Sequence, residues 1–267
     1  MPEGDSLVHA ADELRPRLQG RAVVRLHGSH RALHPNARRI TGRVISDVRT
    51  VGKHMLIDFD NGWTLRTHLG MTGGWQHYQP GEPWRRSPGK ARVVIETADC
   101  VAVCFAAPTV ELAPTERIGI RHLGPDLMAD EVDWDGIVRR ARQSPGRTAA
   151  DLLLDQRVMA GVGNVYKSET LFLEGIDPQR PVATLTDDDV GRIAGRARKL
   201  LMANREPAMR STTRSTTESR RPGANYWVYR RAGRSCRRCG ATVLTDTHGE
   251  LDRSTYWCPS CQAPPRS

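Results

Sequence analysis

The chain has 267 residues, enough for two domains or for one large core with appendages. Hydrophobic residues make up 38% and charged residues 26%, the balance of a soluble globular protein, and no apolar run approaches the roughly 20 residues needed to span a bilayer. The formal net charge of +10 points to a polyanionic partner, most simply nucleic acid, rather than a merely solvated basic surface.

In chain order, residues 5–18 predict a helix, with Leu7, Ala10, Ala11, Leu14 and Leu18 on one face, Pro16 in the last turn and Gly20 closing it. From 21 to about 110, short apolar runs alternate with Gly, Asn and Pro turns: Ala22–Leu26, Val44–Val48, Met55–Phe59, Trp63–Thr67, Arg92–Glu96 and Val101–Phe105. Many short strands at such spacing predict a β-sandwich or barrel. Residues 77–90 carry Pro80, Pro83 and Pro88 and read as a long hairpin loop. Beyond Pro125 the pattern becomes helical: Trp134–Arg142, a helix capped by Thr148 with Asp151 three residues on, residues 164–174 ended by Gly175, and a helix opened by Thr186 running to about Ala203. Residues 205–225 are rich in Ser, Thr and Arg without an apolar period and read as a mobile loop. The rest is a small cysteine-bearing module. The expected class is therefore α+β and multidomain, with an N-terminal β-sandwich behind a leading helix at 1–126, a helical domain at 127–225 and a C-terminal β-hairpin at 226–267.

Three groups of residues carry chemistry. The chain starts Met1-Pro2-Glu3-Gly4-Asp5. Aminopeptidase trimming of Met1 leaves Pro2 with a free secondary amine that titrates at about pH 8, so a reactive unprotonated fraction is present near neutral pH. Such an amine attacks electrophilic carbon and forms a charged iminium, and Glu3, one residue away, can shuttle a proton. Taken alone, these five residues favour an unstructured start, and only the rest of the chain reverses that preference. The second group is Cys236-x2-Cys239-x18-Cys258-x2-Cys261, two close pairs with zinc-ribbon spacing. Four thiolates leave no open coordination position, so one structural Zn2+ per chain is expected to stiffen the hairpin, whose apex falls near Thr247-His248-Gly249. Arg253 on the return strand is placed to grip a phosphate. Cys100 and Cys104, evenly spaced in an apolar strand, read as core. The third is Asp155-Gln156-Arg157-Val158-Met159-Ala160-Gly161-Val162-Gly163-Asn164, where one helix ends, two glycines allow tight turns and another helix begins. Amides at a helix start, with the Asn164 side chain, make an anion site. Lysine occurs only as Lys53, Lys90, Lys167 and Lys199 against a large excess of arginine, which makes Lys53 conspicuous.

The MPEG start, the lysine of VGKHM, the segment HLGMTG, the run LLLDQRVMAGVGNVYKSETLF and the tail RSTYWCPSCQ, in that order, resemble the Fpg/Nei family of bifunctional DNA glycosylases, which remove oxidised bases. The resemblance implies a base-excision-repair DNA glycosylase with AP lyase activity, acting on damaged DNA. Pro2 matches the nucleophile and Glu3 the general acid. Lys53 matches the lysine that assists β-elimination and contacts the phosphate beside the lesion. Asn164 matches the phosphate ligand of the helix–two-turns–helix motif. Arg253 matches the zinc-hairpin arginine assigned to phosphate binding and δ-elimination. Met71 matches the residue that fills the gap left by the flipped base, and an apolar wedge there repays part of the unstacking cost.

Two departures orient the substrate expectation. Residues 108–120, PTVELAPTERIGI, lack the Arg-Arg-Phe-Gly wedge of the formamidopyrimidine branch. Asp5 and the 210–225 loop lie closer to the endonuclease VIII branch, although that branch carries another tripeptide in place of Gly70-Met71-Thr72. Oxidised pyrimidines are the expected lesions. His122 lies where that branch has a phosphate-contacting arginine; an imidazole could serve there, and a structural role is equally open. The competing readings are a non-catalytic zinc-ribbon DNA-binding protein, which needs no exposed Pro2, Glu3 or Lys53, and a zinc-ribbon RNA-binding factor, which would show the stacking platform that 5% of scattered aromatics does not supply. A monomer is expected, with no membrane association. The absence of a basic-then-apolar start suggests the cytoplasm, and the nucleoid in a bacterium.

Overall fold

The computed structural model describes residues 2–206, 210–213, 224–248 and 253–263. They fall into two compact units, Met1–His122 and Leu123–Ser267. The first opens with α1 (Gly4–Leu18), which buries Leu7, Ala11, Leu14 and Leu18 along one stripe. Pro16 costs the last turn one donor, yet the Gln19 amide still closes onto Arg15 and the helix reaches Leu18.

Eight strands follow: β1 (Arg25–His27), β2 (Ile45–Val51), β3 (His54–Phe59), β4 (Trp63–His68), β5 (Gly74–Tyr78), β6 (Ala91–Glu96), β7 (Val101–Phe105) and β8 (Thr109–Pro114). They form two antiparallel four-stranded sheets, ordered β1-β6-β7-β5 and β2-β3-β4-β8. Ile45, Val48, Met55, Ile57 and Leu65 of one sheet share a core with Val93, Ile95, Ala102 and Cys104 of the other and with the α1 stripe. This is the expected β-sandwich with its leading helix. Alternating inward residues on both sheets bury each other, as a two-layer fold requires. Cys100 and Cys104 are both buried, and burial raises both thiols above their usual range.

Two local expectations are corrected. Residues 77–90 are not a hairpin loop: His77 and Tyr78 belong to β5, which pairs with β7 rather than with the next strand β6. The 79–90 segment is thus a crossing connection, with a short 3-10 turn at Pro88–Lys90. Residues 109–114, read only for a missing motif, form β8 on the edge beside β4.

The second unit holds α2 (Trp134–Arg142), α3 (Ala149–Leu154), α4 (Asn164–Glu174) and α5 (Asp187–Ala203), then the hairpin β9 (Leu244–His248) and β10 (Arg253–Trp257). The helix ends follow the capping chemistry. Thr148 accepts from the Asp151 amide, Thr186 and Asp189 form a reciprocal capping box, and Gly175 ends α4 with φ of 69°. The α5 face Val190, Ile193, Ala194, Ala197 and Leu201 is buried and packs on α2 and α4. The hairpin lacks a core of its own: Val228, Cys236, Val243 and Cys258 cluster around Phe172 of α4. Much of the expected mobile loop at 205–225, and Gly249 of the expected hairpin apex, lie outside the described residues. Among the described residues no helix is long and apolar enough to cross a membrane.

Candidate functional site

In the first unit, Glu3 is the N-cap of α1, its carbonyl accepting from the Ser6 and Leu7 amides at 3.0 and 3.2 Å. Its side chain is 0% exposed and does not cap the helix. Pro2, immediately before it, is half-buried. The start of the chain is thus fixed to a helix, which disposes of the unstructured alternative. Asp5 is buried in the first turn, where the helix dipole favours an acid, and the Ser6 hydroxyl donates to it at 3.3 Å.

Lys53 sits with Gly52 in the two-residue turn joining β2 to β3, where Gly52 takes φ of 58°. The next residue, His54, faces His68 across the β3–β4 ladder, ring centroids 4.9 Å apart. Burial, then the charges of His68, Arg66, His122 and Lys53, pushes His54 down to about 3. Burial, Lys53 and Arg66 likewise lower His68. Both imidazoles are therefore neutral at pH 7, and Arg66 beside them is paired with Glu111 at 2.7 Å. Neutral His68 accepts the Gly70 amide at its Nδ1 (3.2 Å), which puts the ring proton on Nε2. That bond anchors the β4–β5 turn. Gly70 has φ of 59°, a Cβ there would meet Pro108 Cγ at 2.8 Å, and the Gly73 amide closes on the Leu69 carbonyl at 2.9 Å. Met71 stands on this turn, 63% exposed, an apolar side chain held out by a tight backbone. His122 is exposed, and it is among the groups that lower His54.

In the second unit, the link from α3 to α4 is held by Gln156. Its amide donates to the Leu154 and Val162 carbonyls, and its Oε1 accepts the Gly161 amide at 3.1 Å. Of the two glycines, only Gly161 needs its freedom, at φ 106°, while Gly163 is the extended N-cap of α4. Burial disfavours the Asp155 carboxylate, yet Arg157 and Arg147 hold it below the usual carboxylate range. Asn164 is the first residue of α4 and 7% exposed. Its Nδ2 donates to the Ser254 carbonyl of β10 at 2.8 Å, and its Oδ1 is buried without a hydrogen-bond partner among the described residues. The Asn164 side chain, expected to face a phosphate, thus gives one of its amide protons to the hairpin.

The same helix grips the hairpin elsewhere. Lys167 donates to Ser254 O and Thr255 Oγ1, and Ser168 Oγ accepts the Tyr256 amide at 3.3 Å. Glu169, fully buried, accepts the Trp227, Val228 and Tyr229 amides at 2.8–2.9 Å and the Thr212 hydroxyl. Burial raises its carboxyl, although all four bonds favour the anion. Gln262 ties the second cysteine pair to the end of α4, donating to Ile176 O and accepting the Cys258 amide. Arg253, half-buried, begins β10 one residue before Ser254. Sequence reasoning passed over Gln156, Lys167, Glu169 and Gln262. The one available signal was Lys167, one of four lysines in the chain.

The four cysteines converge. Cys236, Cys239, Cys258 and Cys261 place their sulfurs within 4.8 Å of one another, with Cys236–Cys261 at 3.9 Å and Cys239–Cys258 at 3.4 Å. All four are free thiols. Tetrahedral Zn–S bonds of about 2.3 Å set sulfurs about 3.8 Å apart, so the cage fits a four-thiolate metal ion.

Comparison with known proteins agrees with this layout. Residues 1–109 match the family model described as the formamidopyrimidine-DNA glycosylase N-terminal domain, and residues 123–216 match that of the formamidopyrimidine-DNA glycosylase H2TH domain. A protein of Streptomyces coelicolor named probable endonuclease 8 2 is 40% identical over 270 residues, covering 99% of this chain and 95% of its own. A protein of Mycolicibacterium smegmatis named DNA-(apurinic or apyrimidinic site) lyase Nei2 is 40% identical over 266 residues, covering 98% and 99%. The crystal structure of wild-type Lactococcus lactis Fpg (MutM) with DNA containing N7-benzyl-Fapy-dG superposes with a TM-score of 0.82 at 22% identity, over 98% of this chain and 100% of that one. The sandwich behind α1, the α3–α4 link and the four-thiol hairpin are thus those of the formamidopyrimidine-DNA glycosylase family, to which this chain belongs, on its endonuclease VIII side.

Proposed function

We propose that Pro2, freed by removal of Met1, is the nucleophile of this chain, a DNA glycosylase and AP lyase of base excision repair. The observation that carries the assignment is the buried Glu3 N-cap, which holds a half-exposed Pro2 at the head of α1 in a chain that matches the family from end to end. The Pro2 amine attacks C1′ of the damaged nucleotide, the C1′–N bond to the base breaks, and the base leaves with a proton. Glu3 supplies a proton as the sugar ring opens, and the secondary amine is left as a cationic iminium. The iminium acidifies C2′; loss of that proton expels the 3′ phosphate, and a second elimination expels the 5′ phosphate. Lys53 assists the first elimination, and Arg253 the second while gripping the backbone.

Damaged DNA is the partner, engaged through Asn164, Arg253, His122 and Lys53 toward phosphates, with Met71 entering the space of the extruded base. Zn2+ fits the four-cysteine cage and would supply no chemistry beyond fixing the hairpin. The missing wedge at 108–120, where the chain instead forms β8 and a 3-10 turn at Thr115–Arg117, supports oxidised pyrimidines as preferred lesions. The chain acts as a monomer in the cytoplasm.

Glu3→Gln tests the division of labour. It should lose excision of an oxidised pyrimidine by about 10²-fold or more, the range for a general acid, while cleaving a preformed abasic site. Equal loss on both substrates contradicts the proton-donor role, and equal retention contradicts the catalytic reading.

A further inference from the structure

We infer that Lys167 is a positioning residue that registers the Arg253-bearing strand against the Asn164 helix turn. The inference rests on the reading of Arg253 as a phosphate contact. Asn164, Lys167 and Ser168 lie at i, i+3 and i+4 and so share one face of α4. That face bonds three successive residues of β10. Asn164 Nδ2 and Lys167 Nζ both donate to the Ser254 carbonyl, at 2.8 and 3.3 Å; Lys167 Nζ also donates to Thr255 Oγ1 at 2.8 Å; and Ser168 takes the Tyr256 amide.

Lys167 is 1% exposed and Thr255 is 0% exposed. Burying an ammonium costs several kcal/mol unless its donors are satisfied. A buried lysine aimed at a strand backbone is a poor way to add stability, and a geometric role accounts for it better. At 1% exposure it does not reach a DNA backbone itself. What it reaches is the carbonyl directly after Arg253. Two donors on one acceptor from one helical turn remove the freedom of β10 to slide or roll against α4, and that freedom would move the guanidinium relative to the Asn164 turn. The Asn164 turn and Arg253 then act as a unit, their spacing set by Lys167.

The test measures affinity of the zinc-loaded full chain for a duplex with a non-cleavable abasic analogue, across a salt series. Arg253→Ala should weaken binding and reduce the magnitude of the salt slope by about 1. Lys167→Met should weaken binding about tenfold, the scale of one charge-assisted hydrogen bond. It should reduce the slope as Arg253→Ala does, with metal content unchanged. In the Arg253→Ala background the same substitution should cost less than about twofold, because the residue it positions is gone. Lys167→Arg should recover most of the affinity. Thr255→Val, which removes one acceptor and keeps the volume, should show a smaller loss with the same dependence on Arg253. Additive losses in the double variants, or wild-type binding in both Lys167→Met and Thr255→Val while Arg253→Ala is impaired, overturn the inference. An Arg253→Ala protein that binds like wild type overturns the reading beneath it.

Discussion

At the scale of single residues, the sandwich unit shows a fixed backbone that holds an apolar side chain, Met71, out into solvent. Met71 buries little, so Met71→Ala should change stability by no more than about 0.5 kcal/mol while slowing excision of a base that must be extruded. Gly70→Ala acts differently. It forces a side chain onto φ of 59° and sets its Cβ 2.8 Å from Pro108 Cγ. It should destabilise the unit by more than about 1 kcal/mol and slow excision as well. Urea denaturation and single-turnover excision on the two variants separate the effects, and equal stability losses would contradict this account of the turn. Met71 was legible in HLGMTG, whereas the Gly70–His68 bond that holds it was not. A histidine two residues before a glycine has no signature until the β3–β4 register sets His54 against it.

At the scale of elements, the helices were legible because their ends carry side-chain chemistry. Thr148, Thr186 with Asp189, and Gly175 each satisfy a local group that the sequence displays. The overlooked strands β5 and β8 are both edges, each paired on one side only. An edge strand tolerates the polar residues of Gly74–Tyr78 and the Pro114 end of β8, which blurs the apolar alternation. The pairing of β5 with β7 joins segments distant in sequence, and no local pattern states it. The β3–β4 pair also makes a pH prediction. His54 is lowered from 6.5 to about 3, and His68 is lowered too, so the folded unit binds fewer protons than the unfolded chain below pH 6.5. Stability from these groups is complete above pH 6.5 and falls as pH drops toward about 3, by up to ~1.4 kcal/mol per pH unit for each proton. His68 and Arg66 from β4, with Lys53 and His122, are the titratable and charged groups that oppose a proton on His54. Denaturation of the chain at pH 7.0, 6.0 and 5.0 (about one unit apart, where the slope is readable) should show the loss, and His54→Gln should flatten it. An unchanged slope in the variant would place the proton uptake elsewhere.

At the scale of the whole molecule, the net charge of +10 supplies attraction to a polyanion, and the proposed grip on it would come from the second unit. The hairpin owes its order to two anchors: the four sulfurs within 4.8 Å, and the α4 network of Asn164, Lys167, Ser168 and Glu169. The sandwich and the helices have cores independent of the sulfurs. One metal ion per chain is therefore expected, and chelation should abolish DNA binding with little loss of helical circular dichroism. Native protein without metal, or global unfolding on chelation, would count against that division. The cysteine spacing made the cage legible from sequence, while the α4 anchor stayed hidden because helix polar residues look solvent-facing until a partner covers them.

The central claim is that the covalent bond to DNA forms at Pro2. Borohydride reduces an iminium to a stable amine, so it should trap the protein on abasic-site DNA, and peptide mass mapping should place the adduct on Pro2 in protein that has lost Met1. Pro2→Gly, which keeps an amine, should trap more weakly, and protein retaining Met1 should not trap. Undiminished trapping with Met1 in place, or an adduct mapped to Lys53, would contradict the account.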